Sequence, residues 1–326
     1  MNRLSLVLFG FLLAPFAALA NLESDENSKA IYEIHDQSVL EILDTTANYD
    51  VIASGFAWAE GPLWVAKGNY LLFSDIPNNK VYKFSPEHGL SEYLSNSGYS
   101  NGLLLDNQGR LTLLQSRSRV VAQMNSDIDT PKDEFNVVAK SFQGKRFNSP
   151  NDGALHKNGS IYFTDPPYGL PKQLDDPSKE LSFQGVYRLL PNGEITLLDS
   201  SLTFPNGIAL STKQNALFVA VSDKNQPIWY RYELDQQGDV TAKRVLYRPS
   251  QNDGEIGSPD GLKVHSTGIV FATGPGGIWV LSEQGKLLAR IKLPGFNANL
   301  AFNENESMLY ITADNELRQL KLNQPK

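Results

Sequence analysis

Apolar and polar positions along this chain fall into short runs, and the runs come in recurring sets. From residue 50 onward, each set opens on a polar residue within or beside a glycine-bearing phrase. An apolar run follows, then a polar turn, then a second strand-like run. The copies are EGPLWVAKGNYLLFSD from Glu60, NGLLLDNQGRLTLLQS from Asn101 and NDGALHKNGSIYFTD from Asn151. NGIALSTKQNALFVAV from Asn206, DGLKVHSTGIVFAT from Asp260 and NLAFNENESMLYIT from Asn299 complete the series. Short runs rich in Val, Ile, Leu and aromatics, bounded by Gly, Asn, Asp and Ser, predict strands and turns. Between the phrases lie further strand candidates: KVYKFS and GLSEYL, GVYRLL and GEITLL, WYRYEL and AKRVLY, GIWVLS and KLLARIKL. No long stretch keeps a 3.6-residue apolar period without Gly or Pro breaking it. The helices that a doubly wound α/β fold requires are therefore not predicted.

The lead residues of the phrases are separated by 41, 50, 55, 54 and 39 positions. Repeats of about 40–50 residues with some four short strands each are the sequence sign of a β-propeller. Six copies predict an all-β, six-bladed propeller. A ring must close, and segments 31–53 and 316–321 are the candidates for the closing strands. No linker or low-complexity tract interrupts residues 21–326, so these read as a single domain.

Composition narrows the function. The chain has 326 residues, a net charge of −7 and no run of Lys and Arg, which argues against nucleic acid as a partner. With no cysteine there are no disulfides, thiolate metal sites or cysteine nucleophiles. Met1-Asn2-Arg3, the apolar run LSLVLFGFLLAPFAALA and the small-x-small site Ala18-Leu19-Ala20 read as a secretory signal peptide over residues 1–20, cut after Ala20. The expected location is periplasmic or secreted, with no stable membrane insertion after cleavage.

In a propeller, the innermost strand of each blade begins near the central axis. Glu60, Asn101, Asn151, Asn206, Asp260 and Asn299 would then ring one end of the channel. Taken singly, Asn or Asp before Gly is an ordinary turn former. Six copies in register, one of them a glutamate, ask for more. Two carboxylates with several amides form an all-oxygen set suited to Ca²⁺; Mg²⁺ or Mn²⁺ also fit, and Zn²⁺ is less natural without His or Cys.

The phrases AEGPLW, SPNDG, FTDPPYG, FPNGIALS, SPDGL and TGPGGIWV, in this order, resemble the senescence-marker-protein and gluconolactonase family of six-bladed propellers, most closely its bacterial gluconolactonase-like branch. The resemblance spans about residues 50 to 320. It implies one divalent cation, most often calcium, in the central channel, with Glu60, Asn151, Asn206 and Asp260 as ligands. It further implies hydrolysis of a small sugar-type lactone, with Asn101 and Asn299 lining the substrate pocket. Animal members carry Arg two residues before the NDG asparagine. Here that position is Ser149, which is expected at the substrate in place of that Arg and puts the preference among aldonolactones in question.

The expected reaction uses the cation to polarise the lactone carbonyl, with Asp260 or the cation's own water supplying the base or nucleophile. Tyr168 would offer a ring and a hydroxyl to the substrate. Asp75 and Asp165, which end strands at matching positions, read as loop braces. Histidines 35, 88, 156 and 265 read as solvated turn residues, and no G-x-S-x-G elbow is present. Two other readings compete. One keeps the metal and cleaves phosphotriesters or other lactones, as diisopropyl-fluorophosphatase and the paraoxonases do. The other is a non-catalytic calcium- or ligand-binding propeller.

Overall fold

The phrase that opens each repeat folds as the two inner strands of an antiparallel sheet, and six such sheets, five of four strands and one of five, make the six blades of a ring. The computed structural model describes residues 29–249 and 255–324, so the expected signal segment lies outside the described residues. No helix among the described residues is long and apolar enough to cross a membrane.

Blade 1 consists of Ala59–Val65, Tyr70–Asp75, Lys80–Ser85 and Gly89–Leu94. Blades 2 to 6 begin with Ser100–Leu105, Gly153–Leu155, Pro205–Leu210, Leu262–Val264 and Asn299–Phe302. The second strand of a blade is covered on both faces by neighbouring blades, which explains runs such as YLLFSD (Tyr70–Asp75) and ALFVAV (Ala216–Val221), buried at every position. Outer strands face water; Val240–Tyr247 carries five exposed residues in succession.

The apolar core is divided among the seams between blades. Leu72 and Val81 of blade 1 meet Leu103 and Leu113 of blade 2. Leu114 and Val121 meet Phe163 and Tyr187 of blade 3. Further clusters fill the seams between blades 3 and 4, 4 and 5, 5 and 6, and 6 and 1.

The two ends of the chain close the ring together. Tyr49–Ser54 pairs antiparallel with Glu316–Lys321 and becomes the outermost strand of blade 6. The earlier part of the predicted closing segment does something else. Ile31–Ile34 pairs with Leu287–Lys292 as a fifth strand on blade 5. The short 3-10 turn Gln37–Glu41 and the residues after it place Val39, Ile42 and Leu43 in the seam between blades 5 and 6. A small hairpin, Ser141–Phe142 with Lys145–Arg146, had no counterpart in the sequence reading.

Up-and-down strand order sorts the loops. The connector into each blade and the loop from its second to its third strand lie at the end where the lead residues stand. The hairpins joining strands one and two, or three and four, lie at the other end.

Candidate active site

The glycine of each lead phrase has a packing role that the turn reading did not foresee. A Cβ on Gly61 would lie 2.0 Å from the carbonyl oxygen of Asn101, and one on Gly207 would lie 2.1 Å from that of Asp260. The glycines allow adjacent inner strands to meet at the axis. Gly102 N–H donates to the Asn151 carbonyl (2.7 Å) and Gly261 N–H to that of Ala298 (2.7 Å). Hydroxyls on second strands add rungs from one blade to the next: Ser74 Oγ to Asn101 O (2.8 Å) and Thr164 Oγ1 to Asn206 O (2.6 Å).

This lattice of backbone contacts aims side chains into a pocket of about 330 Å³ at the mouth of the channel. Glu60, Asn101, Asn151, Asn206, Asp260 and Tyr168 all line it. Asn206 gives its Nδ2 to Ser222 Oγ (2.9 Å), leaving its Oδ1 as the uncommitted end, and Ser222 donates onward to the Pro259 carbonyl (2.5 Å). Tyr168 stacks on Phe204 with ring centroids 5.8 Å apart.

The acidic residues are buried and crowded. Glu60 Oε2 accepts the Gly61 N–H (2.9 Å), yet burial pushes its carboxyl up to about 7, with Asp152 pushing the same way. Asp260 is raised well above the usual aspartate range by burial, then by Glu60 and Asp152. Oδ1 of Asp260 and Oδ1 of Asn101 are buried without a hydrogen-bond partner. Acceptor oxygens left bare in this way are costly unless something positive completes them. No group of three or more His, Asp or Glu side chains suited to a metal occurs among the described residues. The oxygen set at this mouth mixes two carboxylates with amides, and its bare acceptors fit a hard dication.

Two residues expected at the substrate lie elsewhere. Ser149 is fully buried; its Oγ donates to Pro166 O (2.5 Å) and accepts from Gly169 N (2.9 Å), fastening one loop to the next. Asn299 does not line the pocket. Its Nδ2 donates to Asp152 Oδ2 (3.3 Å), and its Oδ1 accepts from Leu300 N (2.9 Å) and Lys263 Nζ (3.3 Å). Asp152, Lys263 and Asn299 thus form a polar group beside the carboxylates, with Lys263 Nζ 3.9 Å from Asp152 Oδ2.

Asp75 and Asp165 are braces, as expected. Asp75 accepts from Ala57 N and Trp58 N (both 3.2 Å), and Asp165 from Asn148 N (2.8 Å) and Ser149 N (2.7 Å). The histidine expectation needs correction for two of the four. His156 and His265 stand in first hairpins, but are 7% and 0% exposed. Each caps its own turn through Nδ1, His156 accepting from Asn158 N (3.2 Å) and His265 from Thr267 N (3.2 Å). Both hairpins are at the end of the ring away from the pocket.

The sequence reading missed most of the pocket wall. Trp58 and Phe296 enter from the connectors into blades 1 and 6, with rings 5.2 Å apart, and Arg117 and Lys224 from second-to-third-strand loops. These loops carry no repeat signal. The only cue was their position just before or after a repeated phrase.

Comparison with known proteins agrees with this architecture. A gluconolactonase of Zymomonas mobilis is 37% identical over 298 residues, 86% of this chain and 83% of that protein. A solved gluconolactonase structure from Xanthomonas campestris superposes with a TM-score of 0.78 at 28% identity, covering 89% of this chain and 94% of that one. Pentonolactonase XacC of Haloferax volcanii is 22% identical over 232 residues, 68% of each protein. The family model described as the SMP-30/Gluconolactonase/LRE-like region matches residues 58–315, and the chain belongs to that family.

Proposed function

We propose that this protein hydrolyses a small sugar-type lactone, with one divalent cation, Ca²⁺ first, held by Glu60, Asn151, Asn206 and Asp260. The observation that carries this reading is the pairing of two buried carboxylates with bare amide and carboxylate oxygens in one small pocket. The gluconolactonases and the pentonolactonase among its relatives support the substrate class.

When bound, the dication would supply a Lewis acid for the lactone carbonyl and charge for the oxyanion that forms there. The chain's own groups do the rest. Asp260 has one oxygen without a partner and takes the proton of the attacking water. Glu60 holds the second negative charge on the pocket floor. Asn101 Oδ1 is free to accept a sugar hydroxyl. Trp58 and Phe296 give an apolar wall for the C–H face of the ring and keep bulk water from the reacting carbonyl.

The test is hydrolysis of a panel of aldonolactones and simple lactones by chelator-stripped protein, with and without Ca²⁺, Mg²⁺, Mn²⁺ and Zn²⁺. Turnover should require an added cation. Asp260→Asn should lower kcat/KM about a thousandfold. Cation-independent turnover, or full activity in the variant, would overturn the mechanism. Phosphotriester cleavage without lactone cleavage would move the protein to the competing hydrolase reading, and cation binding without any turnover to the binder.

A further inference from the structure

The pocket carries two opposite electrical characters. Its floor holds Glu60 and Asp260, and its mouth holds Arg117 and Lys224. The two cations come from equivalent places in the fold. Arg117 follows the second strand of blade 2, Leu111–Gln115, and Lys224 follows the second strand of blade 4, Ala216–Val221. Blade 3 lies between them and contributes Tyr168.

Neither cation has a carboxylate partner among the described residues. Exposed Lys67 and Lys286 and half-buried Lys80 are ion-paired, while exposed Lys145 and Lys213 have no carboxylate partner either, so it is their place on the pocket that sets Arg117 and Lys224 apart. Buried Arg188, Arg231, Arg290 and Arg318 are ion-paired, whereas buried Arg119 donates only to the Phe147 and Ser178 carbonyls. The acid beside Lys224 is already engaged: Asp223 Oδ2 accepts from Thr203 Oγ1 (2.8 Å) and its Oδ1 from Asn225 N (2.9 Å).

Arg117 is also held in place. Its guanidinium lies 4.9 Å from the centroid of the Tyr99 ring. Contact with an aromatic face orients a guanidinium while leaving its N–H donors available. Tyr99 adopts φ 57°, a left-handed conformation that is costly for a bulky side chain. That conformation is secured by Tyr99 N–H to Asn79 Oδ1 (2.6 Å) and by Ser116 N–H to the Tyr99 carbonyl (3.0 Å). Local strain here is held by bonds that fix the ring beneath the guanidinium.

We propose that the pocket takes a lactone bearing a second, anionic group, a carboxylate or a phosphate, which Arg117 and Lys224 bind at the mouth while the ring lies over the acidic floor. This rests on the lactonase reading and narrows its substrate class. A neutral lactone gives these two cations nothing to neutralise. An anionic one would be drawn in by them and oriented ring-first, and charge steering of this kind is strongest at low salt.

The experiment compares a neutral six-carbon aldonolactone with its 6-carboxylate and 6-phosphate counterparts, using calcium-supplied full-length protein at low and high salt. Calorimetric titration with the ring-opened acids runs beside it. Wild type should favour an anionic lactone by about tenfold in kcat/KM at low salt, mainly through KM, and salt should shrink the difference. In Arg117→Ala and Lys224→Ala the anionic-to-neutral ratio should fall toward one, with Arg117→Lys intermediate. The two arms separate a carboxylate from a phosphate.

Equal rates on all three lactones, or a ratio unmoved in both variants, overturns the proposal. If no lactone is turned over, the lactonase reading fails, and the anion site is judged by titration alone. Tighter binding of the dianionic acid that is lost in both variants upholds the site, and equal binding by variants and wild type overturns it.

Discussion

Residue-scale chemistry at the channel mouth is governed by burial. Burial pushes the Glu60 carboxyl up to about 7, and burial with the nearby carboxylates raises Asp260 as well. An unfolded chain would release both protons near the ordinary carboxylate range, about 4. The folded state therefore binds these protons more tightly. The stability they confer is complete below that range and is lost as pH rises through about 7. Melting temperatures of chelator-treated protein should fall between about pH 5 and about pH 8, and calcium should restore most of the loss at the higher value. A flat profile would show that these carboxyls are not crowded as described. The glycines make a second test. Gly207→Ala forces a Cβ against the Asp260 carbonyl, which the inner strand cannot relieve without moving a proposed ligand. We expect a loss of about 2–3 kcal/mol, or roughly 5–10 °C in melting temperature, together with weaker calcium binding.

Elements were the most legible level. The runs KVYKFS, GLSEYL and GIWVLS form strands with the predicted bounds, because alternation and turn residues act locally. The lead residues were legible because the period repeats them, and Glu60 was recognisable as an outlier among turn formers. Arg117, Lys224, Trp58 and Phe296 were not legible. They stand in loops whose place in the pocket is decided only when six blades close. Ser149 misled for a related reason: its position in the motif suggested a substrate contact, while its hydroxyl is spent between two loops. The buried histidines misled because a polar residue in a turn is usually wet, and these turns are packed against a neighbouring blade or strand. The loop braces carry their own prediction. Asp165 accepts two backbone N–H groups, and an asparagine can accept only with its one oxygen. Asp165→Asn should cost about 1–3 kcal/mol and lower kcat/KM by displacing the segment that leads to Asn151. Unchanged melting and unchanged kinetics would deny the brace.

At the scale of the whole molecule, the ring depends on residues with no part in the chemistry. Removing residues 29–54 takes the outer strand from blade 6, the fifth strand from blade 5 and Val39, Ile42 and Leu43 from the seam between them. Such a chain should lack a cooperative melt and should self-associate in size-exclusion chromatography through the exposed edge of Glu316–Lys321. A monomeric, cooperatively folded product would mean that closure is dispensable. The same closure has a consequence in time. Tyr49–Ser54 precedes blade 1 in the sequence, yet its partner Glu316–Lys321 is the last strand among the described residues. Until those two strands meet, the blades stand as an open arc, and closure joins segments that flank all the other blades in sequence. The pairing that closes blade 6 is therefore the longest-range strand pairing in the ring, and contacts of that kind form slowly because the entropy of closing so large a loop opposes them.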